Sequence, residues 1–115
     1  GGMAQRASLV RTLATSPQLL LLDEPFAAVD YFTRLRLQDE VMNLWKAQPE
    51  SSPLTVIFVT HDIGEASRLA THIHIMAQGR ITATLQNYAP YPRPLAADRS
   101  QLESAILSAL NAVNQ

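Results

Sequence analysis

The 115-residue chain has no cysteine. Disulfides and thiolate metal sites are therefore excluded, and the sequence is compatible with a reducing compartment. Long apolar runs are missing as well. The longest, Leu19–Leu22 and Val56–Val59, fall far short of the ~20 residues of a membrane-spanning helix. No signal-peptide pattern is visible. Neither charge sign is in excess: nine Lys and Arg stand against ten Asp and Glu, for a net charge of -1. The basic excess of a nucleic-acid binder and the charge block of a membrane-surface segment are both lacking. There is no internal repeat and no low-complexity tract.

What is present is ordinary globular material, 47% apolar and 17% charged, sufficient for one small domain with a modest core. Met3, Ala7, Val10 and Ala14 recur at helical spacing and predict a first helix that ends before Ser16-Pro17. Leu19–Leu22 reads as a buried parallel strand, although four leucines alone are equally compatible with a helix. A second helix is expected over Thr33–Lys46, with Leu37, Val41, Leu44 and Trp45 as its apolar stripe. After the loop Pro49–Pro53, the β-branched run Leu54–Val59 predicts a second buried strand. Asp62 and Glu65 have capping-box spacing, so a helix should begin at Ile63 and run to about Ala70.

Ile73–Met76 and Ile81–Leu85 read as strands around a Gln78-Gly79 turn. Three prolines and two tyrosines between Asn87 and Pro94 suggest an irregular surface crossing. A final helix should start near Asp98, with Gln101 in capping position and Leu102, Ala105, Ile106, Ala109, Leu110 and Val113 on one face. The element order defines an α/β fold with a mainly parallel sheet. Its expected parts are residues 1–86, a proline-rich connection over 87–97, and a C-terminal amphipathic helix over 98–115.

Three places can carry chemistry. In an open parallel sheet, ligands bind beyond the carboxyl ends of the strands, and Asp23-Glu24 stands at such an end. One carboxylate can hold Mg²⁺, an ion that keeps several waters and takes few carboxylates. The other can act as general base on an attacking water. The alternative is that Asp23-Glu24-Pro25 merely terminates a strand. His61, in Val59-Thr60-His61-Asp62, falls at the same sheet edge and can contact a phosphate or orient the water. A lone histidine at a strand end is otherwise structural or exposed. Gly1-Gly2 opens the first helix, where free N–H groups can bind an anion and glycine permits close approach.

Together these features resemble one family. Gly1-Gly2-Met3-Ala4-Gln5-Arg6 is similar to the end of the ABC ATPase signature motif, Leu-Ser-Gly-Gly-x-x-Gln-Arg, without its Leu-Ser. Leu19–Pro25 resembles the Walker B strand with its catalytic glutamate, Ala27-Ala28-Val29-Asp30 the D-loop, and Thr60-His61-Asp62 the switch histidine. The resemblance runs from Gly1 to about Leu85. Thr33-Arg34, Leu37–Glu40, Leu44-Trp45 and the tail element Pro92-Arg93-Pro94 are further similar to the nitrate/sulfonate/taurine importer group.

The resemblance implies a fold, roles and partners. The fold is a partial P-loop NTPase of RecA-like ABC type, lacking the Walker A strand. Glu24 would be the general base for ATP hydrolysis, Asp23 would support Mg²⁺, and His61 would sense the γ-phosphate. Asp30 would communicate across a nucleotide-sandwich dimer. Gly1 and Gly2 would touch ATP held by the partner subunit, with Gln5 close by. Arg6 and Arg11 read as structural or solvated, and Trp45 as core. Implied partners are a second ATPase subunit, transmembrane permease subunits and, indirectly, a solute-binding protein. Nucleic acid is not among them. The implied location is peripheral, on the cytoplasmic face of the membrane.

The sequence departs from the family at one decisive place. Its four glycines are Gly1, Gly2, Gly64 and Gly79, and none precedes a lysine. The Gly-x-x-x-x-Gly-Lys-Ser/Thr loop that cradles ATP phosphates is therefore not in it. The expectation is a C-terminal portion cut inside the signature motif, with a complete domain about twice as long. A start at Met3 behind a two-glycine tag is the other possibility. Without the Walker A strand the sheet should leave unpaired edges and exposed apolar surface, which recruit other chains. The 115 residues alone are thus expected to close the gap by rearranging or to self-associate, and not to hydrolyse ATP. Two other readings stand beside the importer subunit. One is a non-enzymatic interaction fragment. The other is a DNA-repair or chromosome-structure ATPase, whose long coiled coils or zinc cysteines are not seen.

Overall fold

The computed structural model describes residues 11, 14–90 and 93–113. The expected first helix lies almost wholly outside the described residues. The chain forms two compact units, residues 1–61 and 62–115, each described by itself.

The first unit is a β-α-β arrangement: β1 (Leu19–Asp23), α1 (Tyr31–Lys46) and β2 (Thr55–Val59). The strands pair in parallel, with Leu20 opposite Val56, Leu22 opposite Phe58 and Asp23 opposite Val59. The ladder opens with the Thr55 N–H donating to Gln18 and closes with the Glu24 N–H donating to Val59. Parallel strands need a long crossover, and α1 supplies it.

Side chains alternate across a strand, so each strand splits into two faces. Leu20 is buried, and Leu22, Val56 and Phe58 are partly so. On the other face Leu21 is 68% exposed, and Leu19, Ile57 and Val59 are about half exposed. The expectation of buried strands therefore holds for one face only. Among the described residues the buried apolar ones of this unit are Leu20, Phe26, Leu37, Val41 and Leu54.

Helix α1 begins two residues earlier than its periodicity suggests, because Asp30 caps it. The Asp30 carboxylate accepts from the Thr33 N–H at 3.0 Å and the Thr33 hydroxyl at 2.8 Å. At its other end the Trp45 indole N–H donates to the Leu54 carbonyl at 2.9 Å, tying the helix to the start of β2.

The second unit begins with α2 (Ile63–Leu69), capped as expected by Asp62, which accepts from the Glu65 N–H at 3.1 Å. Then come β3 (His72–Ala77), β4 (Arg80–Gln86) and α3 (Ser100–Val113). Among the described residues the sheets are two separate pairs, β1-β2 and β3-β4. The second pair is antiparallel, which corrects the expectation of a mainly parallel sheet. The reason is local: Gln78 and Gly79 both have positive φ, 52° and 76°, and such two-residue turns reverse the chain into a hairpin.

Ile73, Ile75 and Ile106 form the buried centre of this unit, flanked by Ile63, Leu85, Leu102 and Leu110. The final helix thus packs on the hairpin through its predicted stripe, except that Ala105 is exposed. The proline-rich connection is more than a surface crossing. Asn87 Nδ2 donates to the Ser67 and Ala70 carbonyls at 2.8 and 3.0 Å, satisfying the C-terminal end of α2. Arg93 is buried, donating to Arg68 O at 3.0 Å and Ala89 O at 3.1 Å, while Arg68 Nε donates back to Arg93 O.

Candidate functional site

The paired strands β1 and β2 end together, and their carboxyl ends carry Asp23, Glu24 and His61. Asp23 is the last residue of β1 and lies on its exposed face. Continued alternation would send Glu24 to the opposite, buried face. Instead Glu24 adopts φ 47°, a left-handed conformation that costs a residue with a Cβ roughly 1–2 kcal/mol. The Glu24 carbonyl then accepts from the Ala27 N–H at 3.2 Å, closing a turn with Pro25 in its second position. Phe26, 2% exposed, anchors that turn in the interior.

The result is that Glu24 meets His61. The His61 Nδ1 contacts Glu24 Oε1. An ionised carboxylate can only accept, so Nδ1 carries the proton and Nε2 is left for another partner. Glu24 is half-buried, whereas the His61 side chain is 92% exposed. A group bound above the strand ends can therefore reach both side chains.

Asp30 lies seven residues beyond Asp23, and its carboxylate serves as the α1 cap. The Thr33 N–H, and then the Thr33 hydroxyl, hold its pKa below the ordinary carboxylate value. Gly1, Gly2 and Gln5 lie outside the described residues. The structure thus joins Glu24 to His61, leaves Asp23 beside them in sequence, and gives Asp30 a local structural partner. Sequence reasoning missed the left-handed Glu24 and the capping role of Asp30. The Asp-x-x-Thr spacing of Asp30 and Thr33 was a usable signal for the cap. Nothing in the sequence signalled the backbone of Glu24.

No group of three or more His, Cys, Asp or Glu side chains converges among the described residues. Such a donor set does not fit a protein-caged zinc or calcium ion. One exposed carboxylate, Asp23, does fit Mg²⁺, which retains water and takes further ligands from phosphate oxygens.

No family model matches the chain. Curated relatives do. An aliphatic sulfonates import ATP-binding protein of Bacillus cereus is 48% identical over 95 residues, which is 81% of this chain and 36% of the relative. The corresponding protein of Granulibacter bethesdensis is 50% identical over 93 residues, 81% of this chain and 37% of the relative. A putative ATP-binding protein of Brucella abortus is 42% identical over 95 residues, 81% of this chain and 35% of the relative. Over 81% of its length the chain is thus similar to import ATP-binding proteins. It spans about a third of the length of the curated relatives it matches.

Proposed function

We propose that the chain is a C-terminal portion of the ATP-hydrolysing subunit of an ABC importer, supplying the general base and the γ-phosphate-facing histidine. The contact between Glu24 and His61, at the ends of paired parallel strands, carries this reading. Bound ATP would provide the phosphoanhydride, and Mg²⁺ would neutralise its charge. Glu24 would accept the proton of the attacking water. His61, oriented through Nδ1, would present Nε2 to a phosphate oxygen, and Asp23 would hold Mg²⁺ directly or through water. Gly1, Gly2, Gln5 and Asp30 would serve the interface with a second ATPase subunit, as the family resemblance implies.

The relatives named for aliphatic sulfonates favour a small anionic solute as cargo. The subunit would sit peripherally on the cytoplasmic face and engage permease subunits, which in turn meet a solute-binding protein. No helix among the described residues is long and apolar enough to cross a membrane. Without a phosphate-binding loop in its sequence, the 115-residue chain alone would not turn over ATP.

The test is Glu24→Gln in the full-length subunit assembled with its permease. Hydrolysis should fall by about 10²–10⁴ while ATP binding persists, since only proton transfer is removed. Unchanged turnover in that variant would refute the assignment.

The exposed apolar residues Leu19, Leu21, Ile57 and Val59 favour a second reading for the short form. In it the chain is an interaction fragment that associates with itself and does not hydrolyse ATP.

A further inference from the structure

The outer face of the β3-β4 hairpin carries two imidazoles that the proposed ATPase role does not use. His72 and His74 are two residues apart on β3 and both exposed, while Ile73 and Ile75 point into the core. Residues i and i+2 of a strand share a face and stand about 6.6 Å apart along it. Two imidazoles that lean toward each other across that spacing can bind one ion at ~2.0–2.1 Å from each nitrogen.

The threonines beside them engage Nδ1 of each ring. His74 Nδ1 lies 3.0 Å from the Thr84 hydroxyl, directly across the ladder on β4. His72 Nδ1 lies 3.1 Å from the Thr71 hydroxyl. In the tautomer whose Nδ1–H donates to the hydroxyl, Nε2 is the lone-pair nitrogen, as in ligating histidines whose far nitrogen is held by an outer partner. Each ring is thus held at Nδ1 by a hydroxyl neighbour, and its Nε2 edge is the one left for an ion.

We propose that His72 and His74 form a two-nitrogen chelate for a divalent first-row transition cation on the outer face of the hairpin. Imidazole donors without carboxylates select copper, nickel or zinc over magnesium or calcium, and Cu²⁺ binds most tightly in this series. Remaining positions on the ion are open to water or to a donor from another molecule. Because the ligands bridge one turn of pleat in a folded hairpin, the ion binds the folded state and stabilises it.

The experiment is a titration of Cu²⁺ into the full-length protein, purified without a polyhistidine tag and followed by calorimetry and electron paramagnetic resonance. The expected signal shows two imidazole nitrogens on one ion. His72→Gln and His74→Gln should each lower that affinity by about tenfold or more, and the double variant should be little worse than either. Thr84→Val should weaken binding by a smaller factor, with Thr84→Ser restoring it. Each His variant should keep the metal-free melting temperature of the parent but lose the rise that Cu²⁺ produces. Single variants that each retain half the stoichiometry at undiminished affinity would mean two independent one-nitrogen contacts and would overturn the chelate. So would a two-nitrogen signal that survives both replacements but vanishes in His61→Gln.

Discussion

The two units of the chain divide chemistry from closure. In residues 1–61, the strands end in Asp23, Glu24 and the loop to His61, and one sheet face exposes Leu19, Leu21, Ile57 and Val59. In residues 62–115, the hairpin and α3 enclose Ile73, Ile75 and Ile106, and buried polar groups such as Arg93 are satisfied by backbone carbonyls. In the first unit one left-handed residue, Glu24, is a carboxylate that meets a histidine. The second uses its irregular turn only to reverse the chain. Strain at a reactive group and strain at a connection thus have different consequences.

Core truncation breaks the comparison most strongly. Ile75→Ala should destabilise the second unit by about 2–5 kcal/mol, as for other buried aliphatic deletions. Ile57→Ala, on the exposed face of the first unit, should cost less than ~0.5 kcal/mol. Denaturant unfolding of the two variants measures both. Equal costs would show that Ile57 is covered in solution, for instance by a second copy. In that case Ile57→Lys should shift light scattering toward the monomer.

Next in size is Arg93→Ala. It strands the Arg68 and Ala89 carbonyls and should cost about 1–3 kcal/mol. The melting temperature reports it, and Arg93→Lys should recover only part because it loses the fork.

Glu24→Gly should act in the opposite direction. It relieves the left-handed backbone and should stabilise the first unit by about 1 kcal/mol, less whatever its contact with His61 contributes. The same change should abolish ATP hydrolysis in the full-length subunit. A stabilised but inactive variant would show that the strain at Glu24 is tied to function.

The smallest effect is common to both units. Asp30 is held below the ordinary value of 3.8 by the Thr33 N–H and then the Thr33 hydroxyl, and Asp98 likewise by the Ser100 N–H and then its hydroxyl. A carboxylate whose pKa is lower folded than unfolded stabilises the fold above the unfolded value. That contribution is lost as pH falls through the folded one. The N-termini of α1 and α3 should therefore loosen only below about pH 3.8, with Asp30 and Asp98 titrating late. Side-chain carboxyl resonances followed by NMR read this directly.

Local order was legible where one residue type dominates a local choice. Asp62 three residues before Glu65 marks the start of α2, and Gln78-Gly79 marks the hairpin. β1 was less so, because four leucines carry no period and only pairing with β2 makes them a strand. Burial was the least legible. Whether Leu21 is covered depends on what lies over it, and Arg93 looks like a surface residue until its carbonyl partners are seen. The candidate site was legible as residue types at strand ends. Its internal geometry was not, since a left-handed glutamate has no compositional trace.

The residues alone thus determine the element order, the Asp62 cap, the hairpin and the family resemblance, because each rests on interactions between near neighbours or on motif spacing. The tertiary structure decides that Glu24 turns toward His61, that only one face of β1-β2 is buried, and that α3 closes over β3-β4. These depend on contacts between residues 30 or more positions apart in several cases, whose cost in chain entropy is met only when the surfaces that bring them together are already packed.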